Sequence, residues 1–405
     1  YFSVPSEVEE LNVRGEFGGE VGPVDFYGAG KYLRTQGWRM LNGAELMHGF
    51  LKLGHRYEDG DVWVSYTVAS DSIEAPGSLP RSWLQGGPLP AELADFDGDR
   101  RRIQFTGGAG DFFVPTLHFV NGLWTQRLAD DWQLSLNGFG RFGSYEQFND
   151  NVTEENSLGE TDIASVGTTA QVTFRPSPAV TVVGGAEYAR HDVDILIRSL
   201  PGRFSPDAPV EVTEDVGTEE DDVGVFLSSR WSPTGRLSLS GSVRWDWIRL
   251  PFTDNLDPSG SGTNIFRQVT GSLGTNYQLT DAVSLFGSYG RGFRAPFILE
   301  ITCSDPDDPC PLPFELGADP PIDPVQTDTW QAGARFVTEA GLSGELAAYW
   351  AEVYDDIHFV TDAEAITGYF ENVEKTRRQG LEGMLEWQVT EALSIGLDLR
   401  TLHTY

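Results

Sequence analysis

The residues best able to do chemistry in this chain are few and scattered. Glu382 and Glu386 stand four apart and could be drawn as a carboxylate pair for acid–base work. His191, with Asp192 and Asp194, could be drawn as a metal site. The plainer reading of the first pair is two wet residues on one strand face, and of the second a set of polar residues at a loop edge. Glu154-Glu155 and Glu219–Asp222 read as solvated acidic loops, with cation bridging to anionic lipid as an alternative. No Gly-x-Ser-x-Gly elbow, His-Glu-x-x-His pair or phosphate loop occurs, so no catalytic residue and no metal or cofactor site is assigned. Arg244, Arg291 and Arg294 are the cations best placed to meet a ligand. Arg291 and Arg294 end a strand just before the longest loop, with a salt bridge to the wall as the competing role. Cys303 and Cys310 are the only cysteines and bracket Ser-Asp-Pro-Asp-Asp-Pro. That isolated pair predicts a local disulfide in an oxidising compartment, the alternative being two free thiols.

The elements that must position these residues are strands. From Gly380 to Arg400, alternate residues fall on two faces. Leu381, Leu385, Trp387 and Val389 lie on one, Glu382, Met384, Glu386 and Gln388 on the other. After Thr390-Glu391-Ala392 the alternation restarts, with Leu393, Ile395, Leu397 and Leu399 against Ser394, Gly396, Asp398 and Arg400. Successive side chains on a strand point to opposite faces, so this is a hairpin with one apolar and one wet face. Leu239, Val243, Leu385, Trp387, Ile395 and Leu397 are expected to face lipid. Glu382, Glu386, Arg244 and Asp398 are expected in the lumen.

The unit recurs. Tyr277-Gln-Leu-Thr-Asp-Ala-Val-Ser and Gln126-Arg-Leu-Ala-Asp-Asp-Trp-Gln resemble Trp387-Gln-Val-Thr-Glu-Ala-Leu-Ser, an internal repeat of hairpins. About sixteen strands follow in sequential order, and short turns alternate with long loops. Expected loops include residues 149–160, 199–222, 251–264, 291–325 and 361–370. A sandwich with crossing connections has no reason to keep short turns at one end. An up-and-down transmembrane antiparallel barrel does. No apolar run approaches the 18 residues of a membrane helix, and alternation hides a barrel from hydropathy. The net charge of −33 excludes a nucleic-acid binder. Both ends look cut, so the chain reads as an internal piece of a longer protein.

Tyr289-Gly-Arg-Gly-Phe-Arg-Ala-Pro296, Gln326-Thr-Asp-Thr-Trp-Gln-Ala-Gly-Ala-Arg335 and Asn372-Val-Glu-Lys-Thr-Arg-Arg-Gln-Gly-Leu-Glu382 resemble the corresponding segments of TonB-dependent outer-membrane receptors. Val24–Trp38 and Gly77–Phe105 are similar to them as well, so the resemblance covers nearly the whole chain. Phe297-Ile298 departs from the family pattern, where a small residue commonly follows the Pro. The resemblance implies a 22-stranded barrel with an N-terminal plug. This chain would then be strands two to seventeen, with plug and last strands missing. It implies an integral barrel of the Gram-negative outer membrane, in contact with lipid and lipopolysaccharide, that works with the TonB complex to take up a ferric siderophore or similar metal chelate. Arg244, Arg291, Arg294 and Glu382 are the expected ligand- or plug-contacting residues, and a monomer is expected. A passive porin or structural outer-membrane barrel is the alternative function.

Overall fold

The computed structural model describes residues 10–77, 79–89, 94, 96–103, 111–149, 155–201, 211–258, 261–301, 304, 306, 310–311, 322–362 and 367–405. The first four strands are β1 (Glu10–Val21), β2 (Val24–Thr35), β3 (Ala44–Tyr57) and β4 (Gly60–Ala75). Then come β5 (Asp111–Ala129), β6 (Trp132–Asn149), β7 (Glu155–Ser177), β8 (Val180–Pro201), β9 (Glu211–Thr234) and β10 (Leu237–Asp254). The last are β11 (Gly262–Gln278), β12 (Val283–Arg294), β13 (Cys310–Pro311), β14 (Val325–Val337), β15 (Leu342–Asp362), β16 (Thr367–Thr390), β17 (Leu393–Arg400) and β18 (His403–Thr404). All belong to one antiparallel sheet. Setting aside the two-residue pieces β13 and β18, each long strand pairs with the next in sequence, from β1 through to β17. This is a transmembrane up-and-down barrel wall. Among the described residues no helix is long and apolar enough to cross a membrane, so strands do the crossing.

Side-chain chemistry closes the short turns. Thr280 Oγ1 accepts the backbone N–H groups of Ala282 and Val283, while the Gln278 amide donates to the Thr280 carbonyl. Gln388 and Thr390 repeat this at the β16–β17 turn, where Thr390 Oγ1 accepts from Ala392 N–H and Gln388 Nε2 donates to the Thr390 carbonyl. The recurrent Gln-x-Thr motif is therefore a turn lock that satisfies backbone groups where the ladder stops. At the opposite end the long connections are tied by side chains too. Arg39 donates to the carbonyls of Pro76, Gly77 and Ile103, drawing residues 36–43 against these three residues around the fully buried Ile103.

Several expected loops are strand. β7 starts at Glu155, β8 runs to Pro201, β9 starts at Glu211, β10 runs to Asp254 and β11 starts at Gly262. Likewise β15 runs to Asp362 and β16 starts at Thr367, inside the loop expected over residues 361–370. The reason is physical. Past the lipid both faces of the sheet are wet, so apolar alternation vanishes although the backbone ladder continues. Cys303 lies outside the described residues. Cys310 is known only through its backbone, which pairs with Gly368. The expected disulfide, and Glu154 of the acidic pair, therefore lie outside what is described.

The register fixes the two faces. Leu227, Val243 and Gly271 share one rung, and Val225, Trp245 and Val269 the next rung on the same side. This outer face carries exposed Leu273, Leu285, Leu346, Leu385 and Trp387. Exposure on β1 and β17 is a weaker sign, because each pairs with a single neighbour among the described residues. The inner face carries Ser240, Ser242 and Arg244, and farther round Glu382 and Glu386. Near the long-connection end it turns apolar. Of two single helical turns, α1 (Arg81–Leu84) and α2 (Ile298–Ile301), the second packs Ile298 against Val216 and Phe252, and Ile301 against Leu250 and Phe266. Burying such side chains stabilises by about 1.5–3 kcal/mol each, enough to hold the start of the longest connection over the upper lumen wall.

The facing assignment predicts a split outcome. Val243→Arg places a charge in lipid near mid-strand and is expected to destabilise by roughly 2–4 kcal/mol, whereas Ser242→Arg, on the lumen side, is expected to be mild. Denaturant unfolding of both variants in lipid vesicles checks this, and equal costs would reverse or abolish the assignment.

Candidate ligand-facing wall and outer rim

The inner wall of β8–β10 holds the strongest ionic arrangement. Arg244 stands on β10. Its nearest facing rung places Glu187, Gly224 and Asp246 side by side across three strands. Arg244 Nε donates to Asp246 Oδ1 at 2.7 Å, and Nη2 reaches across β9 to Glu187. That reach passes over Gly224. A Cβ built there would collide with the guanidinium itself, so any side chain at the crossing would push Arg244 off this path. Alternation in the sequence puts Arg244 in the lumen, and the parity of the register agrees. What sequence could not supply is Glu187, which lies 57 residues away in the chain.

One step farther out, Glu220 and Asp222 of β9 face the lumen beside His191 of β8. His191 Nδ1 bonds to Ser165 Oγ at 2.9 Å, and its Nε2 lies 3.9 Å from Asp222 Oδ2. Asp192 and Asp194 fall on the opposite face from His191, because strand neighbours alternate. The metal drawing of His191 with those two aspartates is thus undone by geometry. Glu219–Asp222, expected as a solvated loop, is strand, with Glu219 and Asp221 outward and Glu220 and Asp222 inward. Glu220 lies more than a dozen residues beyond the short-turn end of β9, above the lipid span. Burial, and then the neighbouring Asp222 charge, push its carboxyl up to about 7, and burial raises Asp222 as well.

Glu382 lies on the lumen face of β16, on a rung with Ala347 and Arg400. Glu386 is four residues on, about 13 Å along the strand, so the two cannot act as one carboxylate pair. Gly380, two residues before Glu382, is compelled by a close approach: a Cβ there would meet the Thr401 carbonyl and the Tyr349 ring.

Arg294 and Arg291 do not share a face. Arg294 is inward and donates through both terminal nitrogens to Glu300, at 2.6 and 2.9 Å, which fastens α2 to the strand end. Its guanidinium lies 4.9 Å from the Phe297 ring centre. Phe297, the position that departs from the family pattern, thereby becomes part of this clasp. Arg291 shares its face with Leu285 and Tyr289, so it stands on the outer wall and not in the lumen. That corrects the expectation of ligand or plug contact for Arg291. It donates to Asp328 at 2.7 Å, and Asp328 also accepts from Tyr289 OH at 2.8 Å. The parity of Tyr289-Gly-Arg291 was available in sequence, but the outer face was not identified beyond the last apolar residue.

Asn372, in the segment singled out by resemblance, is a structural clamp. Its side chain donates to the carbonyls of Asp323 and Asp355 and accepts from Asp323 N–H. Asp355 has a left-handed φ of 52°, and the β15–β16 register skips it. After the break Asp356 turns toward Thr376, His358 and Arg378.

An apolar outer wall, an inner wall of crossed ion pairs, and short turns segregated from long connections define a large transmembrane β-barrel of the receptor type. Residues 49–402 match the family described as TonB dependent receptor-like, beta-barrel. The chain belongs to that family. Among solved structures it is similar to the unliganded ferric citrate transporter FecA, with a TM-score of 0.75 at 14% identity, covering 98% of this chain and 59% of that one. It is similar also to the copper transporter OprC, with a TM-score of 0.74 at 13% identity, covering 98% and 60%. A third is the ferric yersiniabactin uptake receptor FyuA from Yersinia pestis, with a TM-score of 0.73 at 14% identity, covering 98% and 59%. At such identities the likeness is one of fold. The chain spans about three-fifths of the length of each of these proteins.

The raised carboxyls give a signed pH dependence. Unfolded, Glu220 releases its proton near 4.5; folded, near 7. The folded state therefore holds the extra proton between those values, and stability should fall as pH rises from about 4.5 to 7 and level off above. Glu220→Gln is expected to flatten that slope. Urea midpoints of the protein in detergent micelles from pH 4.5 to 8.5 measure it, and an unchanged slope would remove Glu220 from the account.

Proposed function

We propose that the complete protein is an outer-membrane receptor that imports a scarce, bulky ligand, a ferric siderophore or similar metal chelate, with energy from TonB. The observation that carries this reading is the continuous sixteen-strand wall with charged, cross-braced side chains inward, in a chain matched by the TonB-dependent receptor barrel family over residues 49–402. A barrel of about 22 strands is a size whose lumen is normally plugged, and the chain occupies strands two to seventeen of it. The neighbours named above, for ferric citrate, copper and ferric yersiniabactin, support metal transport as the class of cargo.

The inner wall of β8–β10 is the surface we assign to ligand or plug, through Arg244, Glu187 and Asp246, with Glu382 on the far wall. Arg294 holds α2 and so sets the upper rim. A Cys303–Cys310 disulfide restrains the longest connection. Its loop is short, so its stabilisation is local, on the order of 2–3 kcal/mol. Mass spectrometry of protein alkylated in intact outer membranes tests it: two alkylated cysteines without reductant would exclude the bridge.

The decisive functional experiment is uptake of radio-iron siderophores by cells carrying the whole gene, with and without TonB. The expected result is saturable uptake that is abolished when TonB is deleted. Uptake unchanged without TonB and linear in ligand would establish a passive pore instead.

A further inference from the structure

The inner face of β9 and β10 holds oxygen atoms that the wall itself does not satisfy. Along β9, Thr218, Glu220 and Asp222 face the lumen at alternate positions. Among the described residues, Thr218 Oγ1, Asp222 Oδ1 and Asp246 Oδ2 are buried and have no hydrogen-bond partner. Thr218 is 8% exposed and the Asp246 side chain 9%. A buried acceptor left without a donor is costly, and native structures leave few. Both aspartates stand in the body of the sheet. Asp222 pairs with Ala189 on one side and Ile248 on the other, and Asp246 with Gly224 and Gln268.

The charge around these oxygens does not balance. Glu187, Asp222 and Asp246 gather on this patch, and Glu220 adds a fourth carboxyl. The Arg244 guanidinium that faces them is already shared between Glu187 and Asp246 Oδ1. His191 approaches only Asp222 Oδ2, at 3.9 Å, and is charged only when protonated. The orphan oxygens are thus the sides of the two aspartates that Arg244 and His191 do not reach.

Spacing identifies what could use them. Gly224 is the rung partner of Asp246, and Asp222 stands two residues before it on β9. The two aspartates are therefore diagonal neighbours, about 7–8 Å apart or less at Cβ. Carboxylates so placed lie within the span of one ammonium, which carries three donors and no acceptor. A bare metal ion is less well served, since among the described residues no three His, Cys, Asp or Glu side chains converge to hold one. Glu187 and Asp222 keep 38% and 33% of their side-chain surface, so the patch opens to the lumen.

We propose that Glu187, Asp222 and Asp246 bind a protonated amine carried by the imported chelate, with Asp222 Oδ1 and Asp246 Oδ2 as its acceptors. Hydrogen bonds from N–H of a cation to carboxylate are roughly twice as strong as neutral ones, so two together select a cationic ligand over its neutral analogue. Glu220 and Thr218 continue the acceptor line toward the long-connection end, roughly 13 Å from Asp222 to Thr218, where a bulky ligand enters. The inference rests on the import of a metal chelate proposed above.

Isothermal titration of the complete protein in detergent micelles tests it with two probes. One is a ferric tris-hydroxamate chelate bearing a free primary amine, the other the same chelate with that amine acetylated. The amine form is expected to bind about tenfold tighter. Asp222→Asn/Asp246→Asn is expected to bind the two alike. Asp222→Asn alone leaves the Arg244–Asp246 bond in place and is expected to lose most of the preference, which separates the site from a folding defect. Asp192→Asn, on the outer face of β8, is expected to keep the preference in full. Equal affinity of the wild type for the two chelates, binding of neither, or a preference that survives in the double variant would overturn the proposal. Uptake lost without TonB together with equal affinities would overturn this inference alone. A clear preference in a protein whose uptake ignores TonB would overturn TonB-driven import alone.

Discussion

Every backbone N–H and C=O in the lipid span must find a partner within the protein, because hydrocarbon offers none. This constraint organises the molecule. It explains why, among the described residues, sixteen long strands pair in chain order without an irregular segment in the span, and why α2 and the tied Pro76, Gly77 and Ile103 lie at the long-connection end. It explains the Gln-x-Thr locks too. At a short turn the ladder stops, and side chains of Gln278, Thr280, Gln388 and Thr390 take over the groups left behind.

Once the ladder is fixed, parity does the rest. A side chain is lipid-facing or lumen-facing by its place in the alternation, and a slip of one residue would exchange the whole set. His191 and Asp192 are therefore strangers despite being neighbours in sequence. Tyr289 and Arg291 stand together on the outer wall, while Arg294, three residues on, points inward to Glu300. Asp355 is a local exception to this parity. One left-handed residue drops out of the ladder without shifting its register, and Asp356 turns to lumen-facing Thr376 and Arg378.

Charge in the wall is handled by pairing across strands. Arg244 bridges three strands only because Gly224 leaves room, and Arg291 is held by an aspartate two strands' length away in the chain. Such pairs stiffen the wall and decide where its cations point. On the inner face they keep charge facing the lumen.

The alternation, the repeated turns, and the segregation of short turns from long connections were legible in the sequence, because a period of two and a turn lock are local properties of adjacent residues. So were the lumen placement of Arg244 and Glu382 and the lipid placement of Val243 and Trp387. The sequence by itself determined a wall with two faces and two ends. The extent of the strands past the lipid was not legible, since Glu155–Leu158 and Glu211–Glu214 lose their apolar alternation where both faces meet water. Nor were the partners. Arg244 with Glu187, Arg291 with Asp328 and Lys375 with Glu352 are brought together by inter-strand register. Register is set by the summed pairing of whole strands and not by any residue's neighbours in the chain, so only the tertiary structure decided which charges meet.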